Sequence, residues 1–151
     1  MRESLKKLID VAMGRVPADV VIKNCTVDGV KYLVYASAPI QSLVVEGCTV
    51  KNIGSWLVLF NAADAIGTNV TITGNTFENC TDGIAKSLGS AWTESANFVF
   101  TNNVLDAACA GHDGSDAKWF AVPAEANQIT VSGNTYGGAE WTPSVAQGLG
   151  K

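Results

Sequence analysis

VTITGNTFENC (residues 70–80) carries the deciding pattern. Apolar residues alternate with threonine through Val70–Thr73, Gly74–Asn75 interrupts, and Thr76–Phe77 resumes. Alternation of this kind marks a strand with one buried face. Gly and Asn both tolerate positive φ and so supply a bend. The same unit recurs without gaps as VVIKNCTVDGV (20–30), LVVEGCTVKNI (43–53), FVFTNNVLDAA (98–108) and ITVSGNTYGGA (129–139). Successive starts lie 23, 27, 28 and 31 residues apart, and four of the five units carry Thr at the seventh place. Self-similarity at such a period signals a solenoid.

Aligned positions predict aligned columns. The first and third places (Val20/Ile22, Leu43/Val45, Val70/Ile72, Phe98/Phe100, Ile129/Val131) point inward, and the eighth (Val27, Val50, Phe77, Leu105, Tyr136) opens a second inward strip. The bend at the fifth place turns the sixth inward, giving an internal file Cys25–Cys48–Asn75–Asn103–Asn134. With rungs about 4.8 Å apart, each Asn amide reaches the next, and a buried polar column survives when satisfied in this way. Cys25 and Cys48 extend the file as small buried residues, either as free thiols or as a disulfide. Cys80, alongside Val30 and Ile53, reads as core.

Further strand-like stretches, YLVYA (32–36), WLVLF (56–60), residues 83–86 and WFAV (119–122), separate the repeats. The expected fold is therefore all-β: a right-handed parallel β-helix of about five rungs in one domain, with variable loops on one side. A β-sandwich is the main rival, and it leaves the Asn/Cys column unexplained. Neither a leucine-rich repeat nor a hexapeptide left-handed helix fits the spacing. At ITGNTFENC, FTNNVLD and VSGNTYGG the chain resembles the pectin-lyase-like superfamily of right-handed parallel β-helices, from Val20 to about Ala139. That resemblance implies fold strongly and activity weakly.

Solenoid ends need caps. Leu5, Leu8, Ile9 and Ala12 form one apolar stripe at helical spacing, with Ser4 before it and Gly14 and Pro17 after, so residues 1–16 are expected to be an α-helical cap. Rungs then occupy 20–139, and 140–151 forms a strap anchored by Trp141 and Leu149. Leu8–Asn24 (LIDVAMGRVPADVVIKN) also resembles the amino-terminal segment of adenine deaminases. The metal-binding histidine motifs of those enzymes cannot exist in a chain with one His, so this resemblance implies at most a borrowed segment in an engineered fusion.

Composition narrows the partners. A net charge of −4 with only ten Lys plus Arg argues against nucleic acid. Apolar runs fall well short of the roughly 18–20 residues that span a bilayer. Charges interrupt Met1–Gly14, so no signal peptide is read there, although a parent protein could still be extracellular or at a cell surface. Four cysteines without a CxxC pair do not suggest a zinc ribbon. Apolar outward positions (Val21, Val44, Val99) leave self-association open.

One polar cluster stands out in the irregular loops: Asp82 and Lys86 after the third repeat, and His112, Asp113, Asp116, Lys118 and Trp119 after the fourth. Asp82, Asp113 and Asp116 are the oxygen ligands Ca²⁺ would use, or an acid/base pair acting on a glycoside; Trp119 could stack on a sugar. Asp-Gly is equally ordinary turn chemistry. Lyases of the resembled superfamily use an Arg or Lys base beside Ca²⁺, and the only arginines here are Arg2 and Arg15, at the capping end. Its hydrolases combine NTD, DD, GHG and RIK motifs, against a lone GHDG at 111–114. No catalytic residue and no required cofactor is therefore assigned. The expected role is a non-catalytic module of a bacterial or phage surface protein, binding glycan or protein. The alternatives are a ligand-free scaffold, natural or engineered, and a small polysaccharide-lyase-like enzyme. A single outward Thr file (Thr26, Thr49, Thr76, Thr135) is thin support for ice binding.

Overall fold

The computed structural model describes residues 7–11, 19–62, 67–88, 96–114, 119–121 and 128–142, with the backbone alone at 7–11, 67 and 113. A first strand, β1 (Lys7–Val11), precedes four complete coils of three strands each. These are β2 (Asp19–Lys23), β3 (Thr26–Asp28) and β4 (Tyr32–Ala36); β5 (Ile40–Glu46), β6 (Thr49–Lys51) and β7 (Val58–Phe60). Then come β8 (Gly67–Thr73), β9 (Thr76–Glu78) and β10 (Ala85–Ser87); β11 (Asn97–Thr101), β12 (Val104–Leu105) and β13 (Phe120–Ala121). A fifth, partial coil has β14 (Ile129–Ser132), β15 (Asn134–Tyr136) and β16 (Ala139–Trp141). Strands stack in three sheets: the first is β2-β5-β8-β11-β14, the second β3-β6-β9-β12-β15-β16 and the third β1-β4-β7-β10-β13, all parallel except at β16.

Register follows the repeat. Val20, Leu43, Val70, Phe98 and Ile129 stand in one column, and Ile22, Val45, Ile72, Phe100 and Val131 in the next. Val27, Val50, Phe77, Leu105 and Tyr136 line the second sheet face. The third sheet contributes Val34, Val58, Ala85 and Phe120, all fully buried. Phe120 meets Phe98 and Phe100 edge-on, at 5.4 Å and 6.1 Å between ring centres, so aromatic packing fills the later coils.

The first two bends of the coils use left-handed backbone, with one exception. At the fifth place Asn24, Gly47, Gly74, Asn102 and Gly133 hold φ between 54° and 69°. At the tenth, Gly29, Asn52, Asn79 and Gly138 hold φ between 52° and 86°. The fourth coil departs here: the Asp106 carboxylate accepts the N–H of Asn79 (3.0 Å), Ala108 (3.2 Å) and Cys109 (3.1 Å). This turn is one residue longer, so Cys109 takes the inward place while Ala108 faces solvent.

The internal file forms as a one-way ladder. The N–H of Cys48 donates to Asn75 Oδ1 (2.9 Å), that of Asn75 to Asn103 Oδ1 (3.0 Å), and that of Asn103 to Asn134 Oδ1 (2.9 Å). The Nδ2 groups of the three Asn donate back to the carbonyls of Val45, Ile72 and Phe100, each at 3.0 Å. These Asn are at most 2% exposed, and their amides are thus satisfied. One member departs from expectation. Cys25 is exposed: β3 ends its sheet, and among the described residues no further strand of that sheet covers it. All four cysteines are free thiols.

The N-terminal helix is also corrected, as far as the described residues reach. Lys7–Val11 is a parallel strand in register with β4, Ile9 beside Val34 and Val11 beside Ala36. An isolated helix this short is marginal in water, whereas the edge of β4 offers a ladder of backbone partners that Ile9 and Val11 suit. Residues 1–6 and 12–18 lie outside the described residues, as does Leu149. At the other end, Gly137 and Gly138 (φ 58° and 86°) turn the chain into β16, which runs back antiparallel to β15. Trp141 anchors this return strand against Trp119, 4.7 Å between ring centres, and against Tyr136.

Candidate functional site

The polar groups gather where each coil turns from the second to the third sheet. Backbone hydrogen bonds stack these turns: Ser55 N–H on Lys31 C=O, Thr81 N–H on Ile53 C=O, and Gly83 N–H on Ala110 C=O. That stacking aligns Lys31–Tyr32, Ser55–Trp56, Asp82–Gly83 and His112 along one edge of the coil. Asp82 occupies the thirteenth place of its repeat, as Ser55 does. His112 opens a single 3₁₀ turn, His112–Gly114.

His112 Nδ1 donates to Asp82 Oδ1 at 2.7 Å, and Ser55 Oγ donates to Asp82 Oδ2 at 3.3 Å. The imidazole lies over Trp56, with ring centres 5.1 Å apart and planes 24° apart. Trp56 is 4% exposed, so it is the floor of the row, while the His112 and Asp82 side chains keep 34% and 25% of their surface. One coil earlier, Lys31 Nζ sits 5.3 Å from the centre of the Tyr32 ring, and Tyr32 leans on Tyr35.

The order of these groups limits their chemistry. In a nucleophilic triad the imidazole stands between the hydroxyl and the carboxylate and takes the hydroxyl proton. Here the carboxylate stands in the middle and accepts from both sides, so Ser55 has no imidazole at its hydroxyl. Of the three carboxylates read as Ca²⁺ ligands, only that of Asp82 lies among the described side chains, and each of its oxygens accepts one hydrogen bond. Among the described residues no three His, Cys, Asp or Glu side chains converge as metal ligands. What the row offers is pre-ordered donors and acceptors at a half-exposed edge.

Of the residues read from sequence, Asp82 and His112 come together. Lys86 stands on the outward face of β10, in register with Leu59 and Ala121, beyond the turn. The Asp113 side chain, Asp116 and Lys118 lie outside the described residues. Trp119 is corrected: at 1% exposure it belongs to the core, its ring edge-on to Tyr136 and Trp141, and it presents no face to a sugar. Ser55 and Trp56 escaped the sequence reading. Their signal was the shared thirteenth place of Ser55 and Asp82, counted past the end of the aligned unit.

No curated protein and no solved structure matches the chain. A family model described as a right handed beta helix region matches residues 10–139. With three stacked parallel sheets and that match over most of its length, the chain belongs to the right-handed β-helix family.

Proposed function

We propose that this β-helix is a non-catalytic, glycan-binding module of a larger surface protein, using the row Tyr32–Ser55–Asp82–His112. The observation that carries the reading is the hydrogen-bonded chain Ser55–Asp82–His112 across three successive turns. Polar groups already held in place lose little freedom on binding, and half-exposed Tyr32 adds an aromatic surface beside them. The central carboxylate supports binding over catalysis, because it leaves no activated nucleophile.

A glycan array tests this. Wild-type protein should retain a defined set of glycans, and Asp82→Ala or His112→Ala should lose that set while the fold persists by circular dichroism. A ligand-free scaffold is the second reading, favoured by the engagement of both Asp82 oxygens within the turn. Absence of retention, or retention indifferent to both substitutions, would overturn the binding reading in favour of the scaffold.

A further inference from the structure

Directly inside the Asp82–His112 turns lie two thiols that the binding row does not use. Cys80 and Cys109 occupy successive coils, and the Cys80 N–H donates to Cys109 Sγ at 3.4 Å. Ala110 N–H donates to Cys80 C=O at 3.0 Å, which fixes the two backbones side by side. Neighbouring rungs stand about 4.8 Å apart, within the roughly 4.4–6.8 Å between Cα atoms that a disulfide spans. We propose that Cys80 and Cys109 form a reversible disulfide by exchange with a small-molecule disulfide, with Cys80 attacking first.

The surroundings set the order. A hydrogen bond from Cys109 lowers the Cys80 pKa below the ordinary thiol value, outweighing burial, and the Ile53 N–H assists. Cys109 is pushed well above that value, first by its contact with Cys80 and then by burial. It also lies 3.3 Å from Asp106 Oδ1, which favours its protonated form. Thiolate is the attacking species, and Cys80 is the more exposed of the two, at 8% against 1%.

The exchange balances in two steps. The Cys80 sulfur bonds to one sulfur of the reagent and releases the other as a thiol. The Cys109 sulfur then attacks the Cys80 sulfur, breaking the mixed disulfide and releasing the second thiol. Two protein thiols are oxidised, the reagent disulfide is reduced by the same two electrons, and both protons end on the released thiols. Once Cys80 is in the mixed disulfide, the thiolate that suppressed Cys109 ionisation is gone.

The test uses the full chain with Cys25→Ser, which removes the exposed thiol, treated under native conditions with glutathione disulfide. Peptide mapping by mass spectrometry should find a Cys80–Cys109 link and a loss of two hydrogens. Adding Cys109→Ser should halt the reaction at the mixed disulfide on Cys80. Adding Cys80→Ser should slow modification of Cys109 about tenfold or more relative to Cys80. If either serine variant fails to fold, time-resolved mapping in Cys25→Ser alone still reads the order, with the Cys80 adduct preceding the link. No Cys80–Cys109 link in folded protein, or an adduct appearing first on Cys109, would overturn the proposal.

Discussion

Asn102 and Gly133 are matched across consecutive coils: the Asn102 side chain fills the space where a Cβ at Gly133 would stand. Asn24 and Gly47 repeat the relationship, a Cβ at Gly47 falling 2.6 Å from Asn24 Oδ1. All four hold positive φ, yet the glycines answer two demands and the asparagines one.

Gly133→Ala should therefore cost about 2–3 kcal/mol, from backbone strain plus overlap with Asn102. Gly74, at φ 66° with open space around its missing Cβ, meets only the first demand. Gly74→Ala should cost about 1 kcal/mol. Urea unfolding midpoints compare the two, and equal losses would show that the Asn102 side chain yields freely.

Asn103→Ala removes the acceptor for the Asn75 N–H and leaves that buried donor unpaired. The expected loss is about 3 kcal/mol, combining an orphaned donor with a small cavity. Thermal or urea unfolding of the folded variant would read it, and a loss below about 1 kcal/mol would mean that water replaces the amide.

Acid should act through Asp106. Burial raises the pKa of this carboxyl, but hydrogen bonds from Asn79, from the Cys109 thiol and from the Ala108 and Cys109 backbone outweigh it and hold the pKa below the ordinary value. A depressed carboxyl stabilises the fold above its unfolded pKa of about 3.9, and that contribution fades as pH falls through the folded pKa. Asp106→Asn should flatten this part of the acid limb when stability is measured between neutral pH and about pH 2–3.

Trp119→Ala should destabilise by about 3–5 kcal/mol, as for other buried aromatics. Any loss of glycan retention would then follow unfolding. Trp119→Phe separates the effects, because it keeps a core ring and should leave retention intact wherever the fold survives.

The coil was legible because its physics repeats. Val70, Ile72 and Phe77 each occupy a column seen five times in the sequence, and the Gly or Asn of the fifth place marks a bend each time. The second bend was written as plainly, in Gly29, Asn52, Asn79 and Gly138, at the tenth place of the same aligned units. The N-terminal segment misled because periodicity in Leu5–Ala12 is a local signal, whereas β1 forms through an edge supplied by β4, distant in sequence. The site was half legible. Asp82 and His112 announced themselves by residue type, but Ser55 and Trp56 join them only through stacking of turns. Cys25 shows the limit of repeat logic: a column position implies burial only where another rung lies on it.

The Asn ladder gives the coil a direction. Each sixth-place N–H from Cys48 to Asn103 is served by the following coil, so the nascent chain completes each of these rungs only when the next has been made. Shortening the protein from its C-terminus uncovers a fresh unserved donor at every step. Excising one whole interior coil instead brings equivalent partners together: without the third, the Cys48 N–H would face Asn103 Oδ1. Such a fold can change length by internal duplication or deletion while its two ends stay as they are.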